Sequence, residues 1–434
     1  MKKFYLFTFV AASILSACNC NNNCNNDAVV NAVQDNRANA KLDNYLYAVE
    51  YDDYDFDAAH AAMSKMFKPA NAACTEVRRG NFVGRNLDWY INDQAAAIIK
   101  INHSDKHLAS IGMVGANPLF TDSLAAAGDT CSRVYATMPL STCDGINECG
   151  VYIGVNVMPT GETSFDKSTW DYGKWGHGAA NTNPGAEKSY IITVLSRVVL
   201  DKAHSVAEAK EIIESINWYE PVNFPHKGES QSFHWLLCDS TTSCVLEFID
   251  NKPYYTETTE VNKPSYATIM TNFTNKLMAD KQMMQDGAQG YERYDVIKAN
   301  YDATPATSEG MQDLMKKVWF SLSYTKDIND PGFFHTDYAN NTAIKASEVY
   351  NNPDVLKNEA FVKDVEKGKA DFANKSLWHK KDCSLWYTTH TTVYDLEKRE
   401  FKVLVHEGRD GQKEWYHVTF NHQFNKPLDF QGKK

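Results

Sequence analysis

Fifteen residues constrain this chain more than any other stretch: Cys74-Thr75-Glu76-Val77-Arg78-Arg79-Gly80-Asn81-Phe82-Val83-Gly84-Arg85-Asn86-Leu87-Asp88. A short alternating run, a Gly80-Asn81 turn signal and a second run closing on an arginine and an aspartate read as a β-hairpin. Hairpin geometry returns the end of the second strand to the start of the first, so Arg85 and Asp88 are expected beside Cys74. A thiol with a cation and a carboxylate at hand is the layout of an activated nucleophile. Taken alone, a single cysteine is more often a buried inert thiol; its two charged companions weigh against that reading here.

The 434 residues, 43% of them hydrophobic, can bury a large core as one big domain or one domain with an extension. A formal charge of −11 without a Lys/Arg cluster excludes nucleic acid as a partner. At the start, Lys2 and Lys3 precede an apolar stretch, residues 4–15, too short to span a bilayer. Leu15-Ser16-Ala17-Cys18 follows and looks like a bacterial lipobox, which makes residues 1–17 a lipoprotein signal peptide and Cys18 a lipidation site; the alternative is an ordinary secretory signal. Residues 18–41, Asn-rich and poor in aromatics, read as a flexible tether to the membrane. Residues 42–73 contain a helical pattern over 58–67 with Asp57 as N-cap, and form either a propeptide or an ordinary N-terminal helix of the domain; residues 74–434 are the expected catalytic domain.

Of ten cysteines, Cys18, Cys20 and Cys24 fall in the Asn-rich run and Cys74 is the candidate nucleophile. Cys131, Cys143, Cys149, Cys238, Cys244 and Cys383 remain, and Cys238 and Cys244, flanking a turn-like stretch, fit a cross-hairpin bridge and a pair of free thiols equally well. No Cys/His spacing matches a zinc site, so neither a metal nor a cofactor is expected.

After the hairpin, residues 95–101 and 107–114 read as strands continuing the same sheet. Asp144-Gly145-Ile146-Asn147-Glu148-Cys149-Gly150 reads as a turn feeding a strand that carries Asn156. Residues 160–185, with Trp170 and Trp175, read as a long loop at the mouth of a site. Residues 189–200 and 205–218 read as two helices, the second with the capping-box pair Ser205 and Glu208. Strands are expected over 233–237, 245–249 and 266–270, the last ending on Thr271-Asn272. Gly290-Tyr291-Glu292-Arg293-Tyr294 opens a helix, and three antiparallel strands, 386–394, 401–405 and 415–420, close the chain.

The hairpin resembles the start of mature choloylglycine hydrolases, the linear amide C–N hydrolases, in which a Cys-Thr pair begins a hairpin ending in Gly-Arg-Asn-Leu/Met-Asp. Asp144-Gly145-Ile146-Asn147-Glu148, Thr271-Asn272, Arg293 and the run from Thr392 to Lys398 are similar to further family motifs in the same order. The connection from cysteine to arginine is several residues shorter here, and Glu292 stands where the family has a serine. The resemblance implies an α+β fold, the N-terminal-nucleophile (Ntn) hydrolase αββα sandwich of two mainly antiparallel sheets between helical layers. It implies self-cleavage between Ala73 and Cys74, after which Cys74 attacks an amide and its own α-amine carries the proton. Arg85 would favour the thiolate, Asp88 would hold the α-amine, Asn156 and Asn272 would donate to the oxyanion, and Arg293 would be the site arginine. Penicillin V acylase relatives often carry tyrosine at the position of Asn156, which leans the chain toward the bile-salt side. The implied partners are a small N-acyl amide and, through Cys18, a membrane; homo-oligomerisation is left open. Acylases for penicillin V or fatty N-acyl amides remain an alternative, as does a non-catalytic surface-binding lipoprotein.

Overall fold

The computed structural model describes residues 37–41, 46–63, 73–90, 95–116, 137–158, 181–219, 232–249, 251–280, 290–318, 323–324, 385–405, 415–422 and 424. Cys18, Cys20, Cys24, Cys131, Cys383, most of the expected tether and residues 160–180 of the expected loop, with Trp170 and Trp175, lie outside these residues.

The N-terminal segment contributes β1 (Arg37–Lys41), β2 (Leu46–Tyr51) and α1 (Phe56–Met63). The hairpin is β3 (Ala73–Arg79) and β4 (Phe82–Tyr90). There follow β5 (Ala95–Ile101), β6 (Ser110–Ala116), β7 (Thr142–Asn147), β8 (Tyr152–Met158) and β9 (Lys188–Ile191). Two helices, α2 (Leu195–Lys202) and α3 (Val206–Ser215), lead to β10 (Ile216–Tyr219), β11 (Ser232–Cys238), β12 (Ser243–Ile249), β13 (Lys252–Thr258) and β14 (Ile269–Met270). Next come α4 (Asn275–Ala279), α5 (Tyr291–Tyr301), α6 (Ser308–Lys316), β15 (Ser323–Tyr324), β16 (Leu385–Asp395), β17 (Glu400–Val405) and β18 (Tyr416–Val418).

Two large sheets result. One has nine strands in the order β1-β2-β5-β6-β7-β8-β11-β12-β13, all neighbours antiparallel except the β2–β5 pair. The other runs β14-β3-β4-β16-β17-β18, with β15 also on β16. Strands alternate their side chains between faces, and three apolar clusters show what each face meets. Leu46, Ile98, Met113 and Leu236 of the first sheet pack against Val83, Tyr394 and Val403 of the second. The outer face of the nine-stranded sheet packs on α1, α2 and α3 through Ala59, Leu195, Val198, Ala209 and Ile213. The outer face of the hairpin sheet packs on α4, α5 and α6 through Leu277, Ile297 and Met315. The layers are therefore α, β, β, α.

Several expectations need correction. Residues 95–101 and 110–116 belong to the opposite sheet, not to the hairpin's own. Their apolar side chains, such as Ile98 and Ile99, are buried on both faces, which suits an interior strand covered by helices on one side and the second sheet on the other. Asp144 to Asn147 lie within β7, and the turn begins only at Asn147, whose carbonyl accepts the Gly150 N–H at 2.9 Å. Residues 188–191 are a strand, parallel to β10; a short 3-10 turn over Ile192–Val194 then leads into the α-helix that starts at Leu195. Ser205 does cap α3, accepting the Glu208 N–H at 3.1 Å. Asp55 rather than Asp57 caps α1, accepting the Ala58 N–H at 2.9 Å. Cys238 and Cys244 are both free. Cys238 stands opposite Ser243, so Cys244 falls on the other face of the ladder and no bridge can form between them.

The N-terminal segment is built into the body. Residues 46–51 of β2 pair in parallel with 96–101 of β5 along their whole length, and both faces of β2 are buried. Glu50 pairs with Lys100 at 2.9 Å and accepts the Phe424 N–H at 3.0 Å, while Tyr54, itself buried, donates its hydroxyl to Asp201. The last residues of the expected tether, Arg37–Lys41, pair with β2 as an added strand.

Candidate active site

The hairpin forms as its sequence asks. Arg79 pairs with Phe82 across a two-residue loop whose first residue, Gly80, takes a φ of +57°, a conformation that glycine accepts without a side-chain penalty. The same register puts Cys74 opposite Leu87, Glu76 opposite Arg85 and Ala73 opposite Asp88.

Arg85 lies buried between two carboxylates, its Nε 3.2 Å from Glu76 and its Nη1 2.7 Å from Asp144. Its Nη2 donates to the Val155 carbonyl at 2.9 Å and reaches to 3.8 Å from Cys74 Sγ. Asp144 accepts in addition from Thr392 at 2.9 Å and Tyr394 at 2.8 Å, and Glu76 from Tyr152 at 3.1 Å. Gly154 makes room for this carboxylate: a Cβ there would stand 2.4 Å from Glu76 Oε2. Arg85 is thus held on three sides and shows its remaining edge to the thiol.

Asp88 faces the other way, toward α5. Its Oδ2 is 3.2 Å from Arg293 Nη1, and its Oδ1 accepts from Thr388 at 2.6 Å. Arg293 Nη1 also donates to the Cys74 carbonyl and the Thr75 hydroxyl, each at 2.6 Å, and Nη2 donates to Asn272 Oδ1. Arg293 sits in the first turn of α5 and is buried against the hairpin rather than on the surface. A bulge in β16 supports this corner: Thr388 stands opposite Asp88 and His390 opposite Leu87, leaving Thr389 extra, with its hydroxyl donating to the Leu87 carbonyl at 3.0 Å.

Asn272 accepts the Cys74 backbone N–H at 3.1 Å and donates its amide to the Val157 carbonyl at 2.6 Å. In this uncleaved chain it therefore holds the nitrogen of the Ala73–Cys74 bond, and its amide donor is engaged elsewhere than at an oxyanion. The amide of Asn156 points to the Thr271 carbonyl at 3.1 Å and the Met270 carbonyl at 3.5 Å, while its own oxygen is buried with no partner. The six expected residues are all buried; Cys74, Arg85, Asp88, Asn272 and Arg293 are joined by these contacts, and Asn156 meets the backbone just before Asn272. Sequence reasoning missed Glu76, Asp144 and Thr388. Glu76 was legible in principle as the hairpin position opposite Arg85; Asp144 and Thr388 arrive from 59 and 300 residues away.

Burial pushes the Cys74 thiol up to about 12; Arg85 only partly offsets this, and the charges of Asp88 and Glu76 add to the rise. The resting sulfur is therefore a thiol that must hand over its proton as it attacks, not a standing thiolate. Burial also raises Glu76 to about 8 against the pull of Arg85, and Asp88 to about 7 against the pull of Arg293 and Thr388. Among the described residues no group of three or more His, Cys, Asp or Glu side chains comes together in a way that could hold a metal ion.

A buried thiol at the start of a strand, an arginine against it and an αββα frame define an Ntn-type cysteine hydrolase. The chain belongs to the linear amide C-N hydrolases, choloylglycine hydrolase family, whose pattern matches residues 72–292. A search of curated proteins found no match. Among solved structures, two variants of the conjugated bile acid hydrolase from Clostridium perfringens align at 12% and 14% identity, each with a TM-score of 0.37 and covering 82% of this chain and 95% of theirs. The penicillin V acylase from Agrobacterium tumefaciens aligns at 13% identity with a TM-score of 0.35, covering 82% of this chain and 89% of its own.

Proposed function

We propose that this hydrolase of linear amide bonds is an envelope-associated enzyme that cleaves itself before Cys74 and then hydrolyses an N-acyl conjugate with a bulky apolar acyl part, such as a conjugated bile acid. The observation that carries the self-cleavage reading is the grip on the Ala73–Cys74 peptide: its nitrogen rests on Asn272, its residue Cys74 is fixed through the carbonyl by Arg293, and Arg85 approaches the thiol. The thiol attacks the Ala73 carbonyl carbon, the C–N bond breaks, and the released nitrogen takes the proton. Water then hydrolyses the thioester and leaves Cys74 with a free α-amine.

That amine, with a reference pKa near 8, is the base the buried thiol lacks in the precursor. In turnover it accepts the thiol proton as sulfur bonds to the substrate carbonyl, and passes it to the departing amine. Water hydrolyses the resulting thioester, releasing the acid and restoring the thiol. Asn272 and Asn156 serve as oxyanion donors once cleavage frees their surroundings; loss of one such donor costs on the order of 100- to 1000-fold in rate. Asp88 and Arg293 hold the α-amine and the Cys74 carbonyl.

Asn156 favours a bile-salt-type acyl group over penicillin V, and the relatives' names supply the two substrate classes to compare. Lipidation at Cys18 would place the enzyme on the envelope, because several acyl chains anchor stably where one is marginal. The intact mass and N-terminal residue of the purified protein, beside a Cys74→Ala control, test the central step. A terminus at Cys74 that the control lacks, together with release of glycine or taurine from bile-acid conjugates, is expected. An uncleaved chain inactive on amides would overturn the reading.

A further inference from the structure

A buried ionisable pair that the chemistry above does not use stands directly behind the site. Across three adjacent strands Asn156 on β8, His234 on β11 and Glu247 on β12 fall in one register row. All three side chains are buried. Both His234 and Glu247 act on the same short connection, residues 271–276, which carries Asn272. His234 Nε2 lies 2.9 Å from the Thr271 carbonyl. A carbonyl oxygen only accepts, so this ring nitrogen carries the hydrogen. His234 Nδ1 lies 3.3 Å from Glu247 Oε1. The two Glu247 oxygens accept the backbone N–H groups of Asn275 and Lys276, each at 2.7 Å, so the carboxylate pins the far end of the connection at the start of α4.

We infer that His234, held by Glu247, is a positioning residue for amide hydrolysis: it fixes the Thr271 peptide and thereby sets Asn156 and Asn272 against Cys74. The Thr271 carbonyl is the shared point, accepting from His234 and from the Asn156 amide at 3.1 Å. One residue further on, Asn272 takes the Cys74 N–H. Without a donor from His234, that peptide is free to rotate, and both carboxamides lose their reference. A misplacement of about 1 Å at such a distance from the reacting atoms costs on the order of 100-fold in rate. The inference rests on the proposed roles of the two asparagines.

The two arms of the histidine can be separated. His234→Gln places a donor where Nε2 was and keeps the reach to Thr271, whereas His234→Asn mimics Nδ1 and keeps only the reach to Glu247. Kinetics of the processed enzyme on an N-acyl amide are measured for both, beside the parent and Cys74→Ala, with thermal unfolding of each. The expected result is a kcat within about fivefold of the parent for His234→Gln and about 100-fold lower for His234→Asn, with KM changed less than about threefold in either. The relay is overturned if His234→Asn turns over like the parent, or if a folded His234→Gln loses as much kcat as His234→Asn. Should His234→Asn fail to fold, His234→Gln alone decides, since retention of kcat is required of it. Turnover that survives in Cys74→Ala would instead overturn the nucleophile assignment.

Discussion

Glu76 and Arg85 stand directly opposite one another on the hairpin, 3.2 Å apart, with both side chains buried and Asp144 gripping the guanidinium from the far side. One cation thus answers two carboxylates in a place water does not reach. Removing it leaves Asp144 buried without its cation, and breaking a buried pair from one side typically costs about 3–5 kcal/mol. Arg85→Leu is expected to lose about that much in urea unfolding. Arg85→Lys keeps the charge but not the fork, and should retain more stability than activity.

The buried carboxylates give stability a defined pH dependence. Glu76 and Asp88 titrate near 8 and 7 in the folded chain, against about 4.3 and 3.9 when unfolded. Between these limits the folded state holds protons that the unfolded state has released, so rising pH favours unfolding. Their contribution is complete below about pH 4 and is gone once the pH passes 8, with a slope of up to about 1.4 kcal/mol per pH unit for each group. Unfolding free energies from pH 5 to 9 for the parent and Glu76→Gln should show a shallower fall in the variant below pH 8 and parallel curves above it.

The N-terminal segment is expected to stay with the enzyme after any cut at Cys74. Leu46, Val49, Tyr51 and Tyr54 are buried, and each such side chain contributes roughly 1.5–3 kcal/mol by burial. A processed sample should therefore run as one species in gel filtration and as two chains in a denaturing gel. A chain begun at Cys74 would expose the edge of β5 and should aggregate, with co-expression of residues 37–73 restoring solubility. Separate elution of the two pieces under native conditions would refute this.

Gly154→Ala sets a methyl 2.4 Å from both Glu76 Oε2 and the Tyr152 hydroxyl. Both are buried and bonded to each other, so the carboxylate and the hydroxyl must shift, which disturbs the pairing of Glu76 with Arg85. A loss of about 1–3 kcal/mol in thermal or chemical unfolding is expected, with a fall in turnover larger than that produced by the equivalent change at the exposed Gly185, which has open space around its Cβ position.

What the sequence determined by itself is local. The alternation of Cys74 to Arg79 and Phe82 to Asp88 around Gly80-Asn81 dictates a hairpin, and a hairpin of that length must return Arg85 to Glu76 and bring Asp88 level with Ala73. The capping of α3 by Ser205 and the strands expected at residues 95–101 and 401–405 were equally legible, because turn chemistry and side-chain period act over a few residues. Tertiary structure decided the rest. Nothing in the pattern of residues 95–116 says which of two sheets they join, since a strand buried on both faces looks alike in either. Asp144, Thr388 and the row Asn156, His234 and Glu247 meet the hairpin or its neighbour only through strand pairing and layer packing between distant segments. Burial, which outweighs Arg85 and keeps Cys74 a thiol, exists only once Val157 of the other sheet has closed over Cys74 and Leu87.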